Sequence, residues 1–209
     1  MLARLRRLVG APVADRLCAD YVALPLAADS CQLVWSNLAL AWAVRPHQVF
    51  AEFQRVLEVG GLLMFSSFGP DTLRELREAF STVDDYPHTL HFPDMHDIGD
   101  MLVGAGFGDP VMDMETFTLT YSDMEALARD LRMSGQSNSA QGRRRSLMGK
   151  GTWQSACQRY EVQRRDGRLP ATFEIVYGHA WKVPPRHKPE GPAIVNTDLL
   201  KRSGRRPGR

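Results

Sequence analysis

The run Leu33-Val34-Trp35-Ser36 is strand-like and is followed by Asn37-Leu38-Ala39-Leu40-Ala41-Trp42 and a helix-like stretch, Val49-Phe50-Ala51-Glu52-Phe53-Gln54-Arg55-Val56-Leu57. Gly60-Gly61 and a second apolar run, Leu62-Leu63-Met64-Phe65-Ser66-Ser67-Phe68, come next. Strand, crossover helix, glycine turn, strand is a βαβ unit, and it commits this part of the chain to an open parallel sheet. Pro46 suits the first turn of the helix, and Val49, Phe53, Val56 and Leu57 form one buried stripe. Gly60-Gly61 supplies the exit turn, where positive φ is cheap. Sheets of this kind take ligands outside the carboxyl ends of their strands. The glycine-rich loop that normally opens such a sheet has no counterpart in the sequence.

The flanking segments extend the pattern. Leu2, Leu5, Leu8 and Val9 share one helical face, stopped by Gly10 and Pro12. Residues 16–20, mostly apolar and ending on Asp20, read as a buried parallel strand. A helix is expected over 72–80, and a long loop with the character of a lid over 81–93. Asp94 caps a helix running to Ala105, which Gly106 ends. Residues 110–115 and 116–121 read as two strands in a hairpin. Ser122-Asp123-Met124-Glu125 is a capping-box pattern that opens a helix over 124–133. A polar segment, a helix from Thr152 to about Arg165 and a final strand over 172–181 complete the order. Early alternation followed by inserted helices predicts an α/β fold: a doubly wound, Rossmann-like sheet lacking its amino-terminal strands, with a helical cap. The expected division is 1–121 for the sheet core, 122–168 for the cap, 169–183 for the last core strand and 184–209 for a disordered basic tail.

Composition narrows the classes. Hydrophobic residues make up 44% and charged residues 24% of the 209, which is ordinary for a globular protein with a real core. The longest apolar runs are short and interrupted, so no membrane span is expected, and the amino terminus lacks the apolar region of a secretory signal. Cys18, Cys31 and Cys157 form no CxxC pair, which points to a reducing, cytoplasmic setting and against a disulfide scaffold or zinc site. His88, His91 and His96 lack carboxylate or Cys partners at ligand spacing, so no metal is expected. The net charge of +2 is uneven: from Val183 onward seven basic residues face two acids, a net +5 that leaves −3 for the body. No aromatic interleaving accompanies that tail, so nucleic acid is not an expected partner.

Asp20 with Ala23-Leu24-Pro25-Leu26, the strand Leu33-Val34-Trp35-Ser36-Asn37-Leu38, and Phe53-x-Arg55-Val56-Leu57-x-x-Gly60-Gly61 resemble the class I S-adenosylmethionine methyltransferases. A second set of motifs is more restrictive. It comprises Phe68-Gly69-Pro70-Asp71-Thr72-Leu73-x-Glu75-Leu76-Arg77, His96-Asp97-Ile98-Gly99-Asp100 with Ala105-Gly106-Phe107, Gly142-Arg143-Arg144-Arg145, and Leu169-Pro170-Ala171-Thr172 with Gly178-His179-Ala180-Trp181. These resemble the malonyl-acyl-carrier-protein methyltransferases of biotin synthesis, over nearly the whole chain up to Val183.

The resemblance implies S-adenosylmethionine lying over the strand ends and methyl transfer to the free carboxylate of a malonyl thioester, on acyl carrier protein or coenzyme A. It implies donor-binding roles for Ala19, Asp20, Tyr21, Ser36, Asn37, Leu38 and Trp42. Asp20 would receive the adenine amino group, a pure donor that suits a carboxylate; as a bare residue it is equally a turn-forming Asp. Asn37 would hold the methionine part of the donor or shape the substrate mouth, or else serve as a helix cap. Trp42 walls the pocket or belongs to the core. Gln32 stands where an aspartate is usual, at a peripheral position.

On the substrate side the resemblance points to Asn138, Arg143, Arg144, Arg145, Tyr177 and His179. Guanidinium groups suit a planar grip on the malonyl carboxylate or attraction to an acidic carrier; a solvated basic turn is the alternative. Tyr177 and His179 alternate on the last strand and are expected to share a face, lining the acyl pocket or packing as an aromatic face. A carboxylate acceptor is already ionised and needs no general base, so no catalytic triad is expected, and proximity and orientation carry the chemistry. A gene start placed late, at an internal methionine, accounts for the absent loop, and the 209 residues alone are expected to bind the donor weakly and to be impaired. Two other readings stay open: an arginine-hydroxylating assembly factor of respiratory complex I, which shares the 68–73 and 169–172 motifs, and a non-catalytic binding protein descended from a methyltransferase.

Overall fold

The structure, a computed structural model, describes residues 16–185; the helix expected over 2–9 and all but the first two residues of the expected tail lie outside that range. Its elements are β1 (Cys31–Asn37), a 3-10 turn (Ala39–Trp42), α1 (Pro46–Val56), β2 (Leu57–Phe68), α2 (Arg74–Phe80), α3 (Met95–Gly104), β3 (Phe107–Tyr121), α4 (Met124–Met133), α5 (Lys150–Glu161) and β4 (Leu169–Lys182). The four strands form one sheet in the order β1-β2-β4-β3. β1 and β2 run parallel, as the crossover helix demands, and β4 inserts antiparallel to both β2 and β3.

Side-chain alternation divides the sheet into two faces. Val34, Leu63, Phe65, Val176 and Ala180 point toward α1 and α3, where Val49, Phe50, Phe53, Ile98 and Leu102 complete the main core. Phe50 meets Phe65 edge-on with ring centroids 5.4 Å apart. The opposite face carries Leu33, Trp35, Met64, Val111 and Trp181, all exposed among the described residues. A second core joins α2, α4 and α5 to the amino-terminal part of β4 around the fully buried Leu127, Tyr160 and Leu169. The Tyr160 hydroxyl ties this helical layer to the sheet by donating to the Pro170 carbonyl at 2.6 Å.

Several sequence expectations are corrected. Residues 16–20 are not a buried strand: all five are exposed, Leu17 by 62%, and Asp20 closes only an isolated bridge to Ala23. A strand needs a neighbour to satisfy its backbone groups, and among the described residues β1 pairs with β2 alone. Gly60-Gly61 is not a turn before the strand but an irregularity inside it. Pairing advances two positions along β1 and five along β2 between Cys31↔Leu57 and Leu33↔Leu62, and Gly60 takes φ +85° to absorb the excess. The hairpin over 110–121 is one 15-residue strand, paired with β4 from Phe107 to Tyr121; no turn residue interrupts its alternation at 115–116. The cap of α4 is Asp123, whose carboxylate accepts from Ala126 N at 2.7 Å, rather than Ser122, which donates to Asp123. Asp94 caps α3 as expected, accepting from His96 N at 2.8 Å.

Candidate functional site

At the carboxyl ends of β1 and β2 the chain is pinned by a compact polar knot. Leu38 sits in the left-handed region at φ 54°, and its N–H donates to both the carbonyl and the hydroxyl of Ser66, each at 3.1 Å. The Ser66 hydroxyl donates in turn to Asn37 Oδ1 at 2.7 Å. The Asn37 carbonyl is thereby used, and its amide NH2, which makes no hydrogen bond among the described residues, is left as an outward donor. Asn37, Ser66, Tyr177 and Asp113 stand in register across the sheet on its open face, with Trp35, Met64, His179 and Val111 in the row beside them. A cavity of about 480 Å3 lies over these two rows. Tyr177 and His179 share one face, as the alternation predicted.

Ser36 points the other way. It is buried on the helix-covered face, and its hydroxyl has no partner. Leu38 and Trp42 pack against Ala41, Phe68 and Phe92, so Trp42 belongs at least in part to a small aromatic cluster. Asp20 and Ala19 are exposed, and Asp20 Oδ1 accepts from Val22 N at 3.1 Å, which is the turn-forming role. Tyr21 packs against the main core; burial, and then the Asp20 charge, push its phenol above the ordinary value. The turn is tied to α1, where Glu52 accepts from Leu24 N at 2.7 Å and Arg55 donates to the Leu24 carbonyl at 3.1 Å.

The motif following β2 is a latch. Gly69 N donates to the Glu174 carbonyl at 2.9 Å, and Asp71 N to Glu174 Oε2 at 2.7 Å. Thr72 donates its hydroxyl to the Glu174 carbonyl at 3.0 Å and accepts from Glu174 N at 3.1 Å. Glu75 accepts from Thr172 N at 2.9 Å and from the Thr172 hydroxyl. Gly69 is required because a Cβ there would lie 2.5 Å from Glu174 Cδ. Thr72, Glu75, Thr172 and Glu174 are all buried, and the latch welds the end of β2 to β4 beside the open-face cavity. In the sequence the motif stands only as part of a resemblance; the one local signal is Glu174, a carboxylate within the otherwise apolar strand Phe173-Glu174-Ile175-Val176.

The cap candidates gather around the loop at 81–93. Asn138 Nδ2 donates to the Pro87 carbonyl at 2.7 Å. Arg144 Nη2 donates to Asp84 Oδ2 at 3.2 Å, with its guanidinium 4.7 Å above the Tyr86 ring. Asp84 Oδ1 accepts from Tyr86 N at 3.1 Å and lies 2.7 Å from His88 Nε2. A carboxylate only accepts, so that nitrogen carries the proton. Burial pushes the Asp84 carboxyl up, but the hydrogen bonds from His88, Tyr86 and Arg144 and the His88 charge outweigh it, leaving the group below its ordinary range. His88 stacks on Phe80 at 3.7 Å. Arg143 and Arg145 are exposed.

The structure therefore brings Asn37, Tyr177 and His179 to one cavity, and Asn138 and Arg144 to the 81–93 loop. Asp20 and Tyr21 line neither. Another cavity, of about 550 Å3, by Asp29, Gln54, Gly106 and Lys182, is at the opposite end of the sheet from the carboxyl ends of β1 and β2. Among the described residues no group of three His, Cys, Asp or Glu is placed to hold a metal ion, and no helix is long and apolar enough to cross a membrane.

A family profile for a methyltransferase domain matches residues 1–65. Over 183 residues the chain is 56% identical to the malonyl-[acyl-carrier protein] O-methyltransferase of Gallionella capsiferriformans, covering 88% of this chain and 63% of that one. Over 187 residues it is 54% identical to the protein of the same name from Laribacter hongkongensis, again covering 88% and 63%. Over most of its length the chain is similar to malonyl-[acyl-carrier protein] O-methyltransferases. It spans less than two thirds of the length of these relatives. Among solved structures the fold matches the YcgJ protein of Bacillus subtilis, with TM-score 0.56 at 11% identity over 87% of this chain and 76% of that one. It also matches a protein of Bacillus halodurans described as a methyltransferase, with TM-score 0.51 at 16% identity over 79% and 70%. These place the sheet and its flanking helices in the Rossmann-like methyltransferase fold. Over 183 residues the similarity to the malonyl-[acyl-carrier protein] O-methyltransferases takes in the helices between β3 and β4 as well as the sheet.

Proposed function

We propose that the protein transfers a methyl group from S-adenosylmethionine to the free carboxylate of a malonyl thioester, as a cytoplasmic step in making the biotin precursor. The observation that carries this reading is the 56% identity over 183 residues to a malonyl-[acyl-carrier protein] O-methyltransferase. Neither the arginine-hydroxylase reading nor the binding-protein reading gains support from the relatives found.

The residues present suit the donor. Asn37 offers an uncommitted amide NH2 at the carboxyl end of β1, and Asp20 has one carboxylate oxygen free of the turn it forms. Ala19 and Tyr21 shape the segment around Asp20. Ser36, Leu38 and Trp42 hold the Asn37 end through backbone and packing. When bound, the donor supplies an activated methyl sulfonium. The chain's own residues then have only to orient an ionised carboxylate and exclude water, which is proximity catalysis and requires no base. Tyr177 and His179 share the Asn37 cavity and serve as its acyl-side wall. Asn138, Arg143, Arg144 and Arg145 present the cap (residues 122–168) to the anionic thioester, on acyl carrier protein in preference to coenzyme A. The protein, assayed with methyl-labelled donor and malonyl-acyl carrier protein, is expected to yield the malonyl methyl ester. Donor binding without ester formation on either carrier rejects the proposal.

A further inference from the structure

We propose that a groove around His88, between α2, the 81–93 loop and α4, seats the pantetheine chain of the thioester substrate, with the His88 ring as its polar anchor. The inference deepens the methyl-transfer reading above and rests on it for the identity of the ligand.

His88 is a shared wall of three cavities. One of about 260 Å3 lies between α2 and the loop, beside Arg77, Tyr86 and His91. Another of about 170 Å3 lies among α2, α4 and α5, against Phe80, Met124, Leu127 and Trp153. The third, narrow at about 40 Å3, is lined by Phe68 and Phe173 of the sheet and by Leu131 and Gln136 of the cap. Leu76 and Leu131 wall both of the last two.

The narrow cavity adjoins the site already described. Phe68 stands on the open face of the sheet one alternation beyond Ser66, and Phe173 two alternations beyond Tyr177. At strand spacing, this aromatic floor lies about 7 to 14 Å from the Asn37–Tyr177 row. Leu38 and Trp42, which follow Asn37, belong to the same aromatic cluster as Phe68, Phe92 and Phe173. A ligand whose acyl end occupies the Asn37 cavity therefore has an apolar floor leading toward His88.

The polar groups along that floor are fixed but not used up. The His88 side chain is only 11% accessible, its ring stacks on Phe80, and Nε2 is given to Asp84. Nδ1 makes no hydrogen bond among the described residues, yet it is not sealed off from solvent. In the neutral ring the proton on Nε2 leaves Nδ1 as an acceptor. Gln136 is held by its backbone N–H, which donates to the Leu131 carbonyl at 2.7 Å, while its side-chain amide makes no hydrogen bond among the described residues. Apolar walls with a few fixed polar groups are what a small-molecule site presents. Pantetheine is the matching chain, with amides and a hydroxyl strung between methylenes and a dimethyl-substituted carbon. It carries no charge, which these walls would penalise. Its amide N–H or hydroxyl donates to Nδ1, and Gln136 serves a second amide.

The test is direct binding of two thioesters that share the malonyl group and differ in the length of the arm. Malonyl-pantetheine has the whole chain, and malonyl-N-acetylcysteamine stops after the first amide. Calorimetry on the protein is expected to show about tenfold or tighter binding of the longer compound, the equivalent of at least one hydrogen bond. His88→Phe keeps the stacking on Phe80 and removes the acceptor. It is expected to weaken malonyl-pantetheine about tenfold while moving malonyl-N-acetylcysteamine and S-adenosylhomocysteine less than about twofold. Leu131→Trp, which fills the groove from α4, is expected to act in the same way, and it decides the matter if His88→Phe does not fold. Equal losses for both thioesters would mean a purely structural role and overturn the proposal, as would an unchanged preference in the variants. The wild-type comparison needs no variant, and equal affinity for the two compounds overturns the proposal by itself. A wild type that prefers the longer arm yet forms no methyl ester sinks the methyl-transfer reading and leaves this assignment standing.

Discussion

Glu75 and Thr172 lie 97 residues apart in sequence and are joined twice, the buried Glu75 carboxylate accepting from both the backbone N–H and the hydroxyl of Thr172. The contact fastens α2 to β4, an inner strand of the sheet. Truncating the glutamate strands two donors in an interior without water, and leaving a buried donor unpaired costs about 1–3 kcal/mol. Glu75→Ala is accordingly expected to lower the free energy of unfolding by about 2–4 kcal/mol, with Glu75→Gln losing less because its side-chain carbonyl still accepts one bond. Urea titration followed by circular dichroism measures both; equal stability of all three proteins would contradict the latch.

Local signals revealed the βαβ unit well, because α1 and its flanking strands are written in side chains that answer to one neighbour each. Val49, Phe53 and Val56 repeat at helical spacing, and Pro46 and Asp94 mark starts that depend only on the adjacent turn. The failures share a cause. Residues 16–20 have the composition of a strand, but whether they form one depends on a pairing partner elsewhere. The single long β3 reads as two strands in sequence because its partner β4, which holds one register from Val111 to Tyr121, is far away in sequence. The site shows the same division. Period-two alternation placed Tyr177 and His179 on one face, whereas Arg144 looked like one of three equivalent arginines until Asp84, 60 residues away, singled it out.

The phenol of Tyr121, pushed up to about 12 by burial and by its bond to Asp130, predicts a stability change at high pH. The folded-state value is raised above the ordinary 10, so the folded chain holds this proton more tightly than the unfolded one. The contribution is complete below about pH 10 and is lost as pH rises from about 10 to about 12. Unfolding followed across that interval is expected to fall more steeply in the wild type than in Tyr121→Phe, which lacks the titrating proton. Parallel profiles would show that Tyr121 is not held as described.

Asn37 and Ser66 yield a prediction specific to methyl transfer. The Ser66 hydroxyl orients the Asn37 carbonyl and so turns the amide NH2 outward. Asn37→Ala removes the donor outright, and Ser66→Ala leaves it present but free to rotate. Loss of one hydrogen bond to a charged ligand group is worth about 1.5–3 kcal/mol, so Asn37→Ala is expected to weaken S-adenosylmethionine binding by about tenfold or more. Ser66→Ala should weaken it by a smaller factor, in the same direction. Isothermal titration with S-adenosylhomocysteine in place of the reactive donor provides the measurement. Wild-type affinity in Asn37→Ala would remove Asn37 from the donor site.

The two faces of the sheet make opposite predictions for aromatic side chains of similar size. Phe50 packs on the helix-covered face, fully buried against Phe65, and its removal leaves a cavity in a close-packed core. Phe50→Ala is expected to cost about 3–5 kcal/mol. Trp35 belongs to the other face and is 77% exposed despite being the larger residue. Little contact is lost when it is cut back, so Trp35→Ser is expected to stay within about 0.5 kcal/mol of wild type. The same substitution should raise solubility, because Trp35 stands with Leu33, Met64, Val111 and Trp181 in an uncovered apolar patch, and such patches drive association. Denaturation midpoints together with light scattering separate the two effects. A cost for Trp35→Ser approaching that of Phe50→Ala would mean that this face is covered in solution, and that Trp35 is part of a packed interior after all.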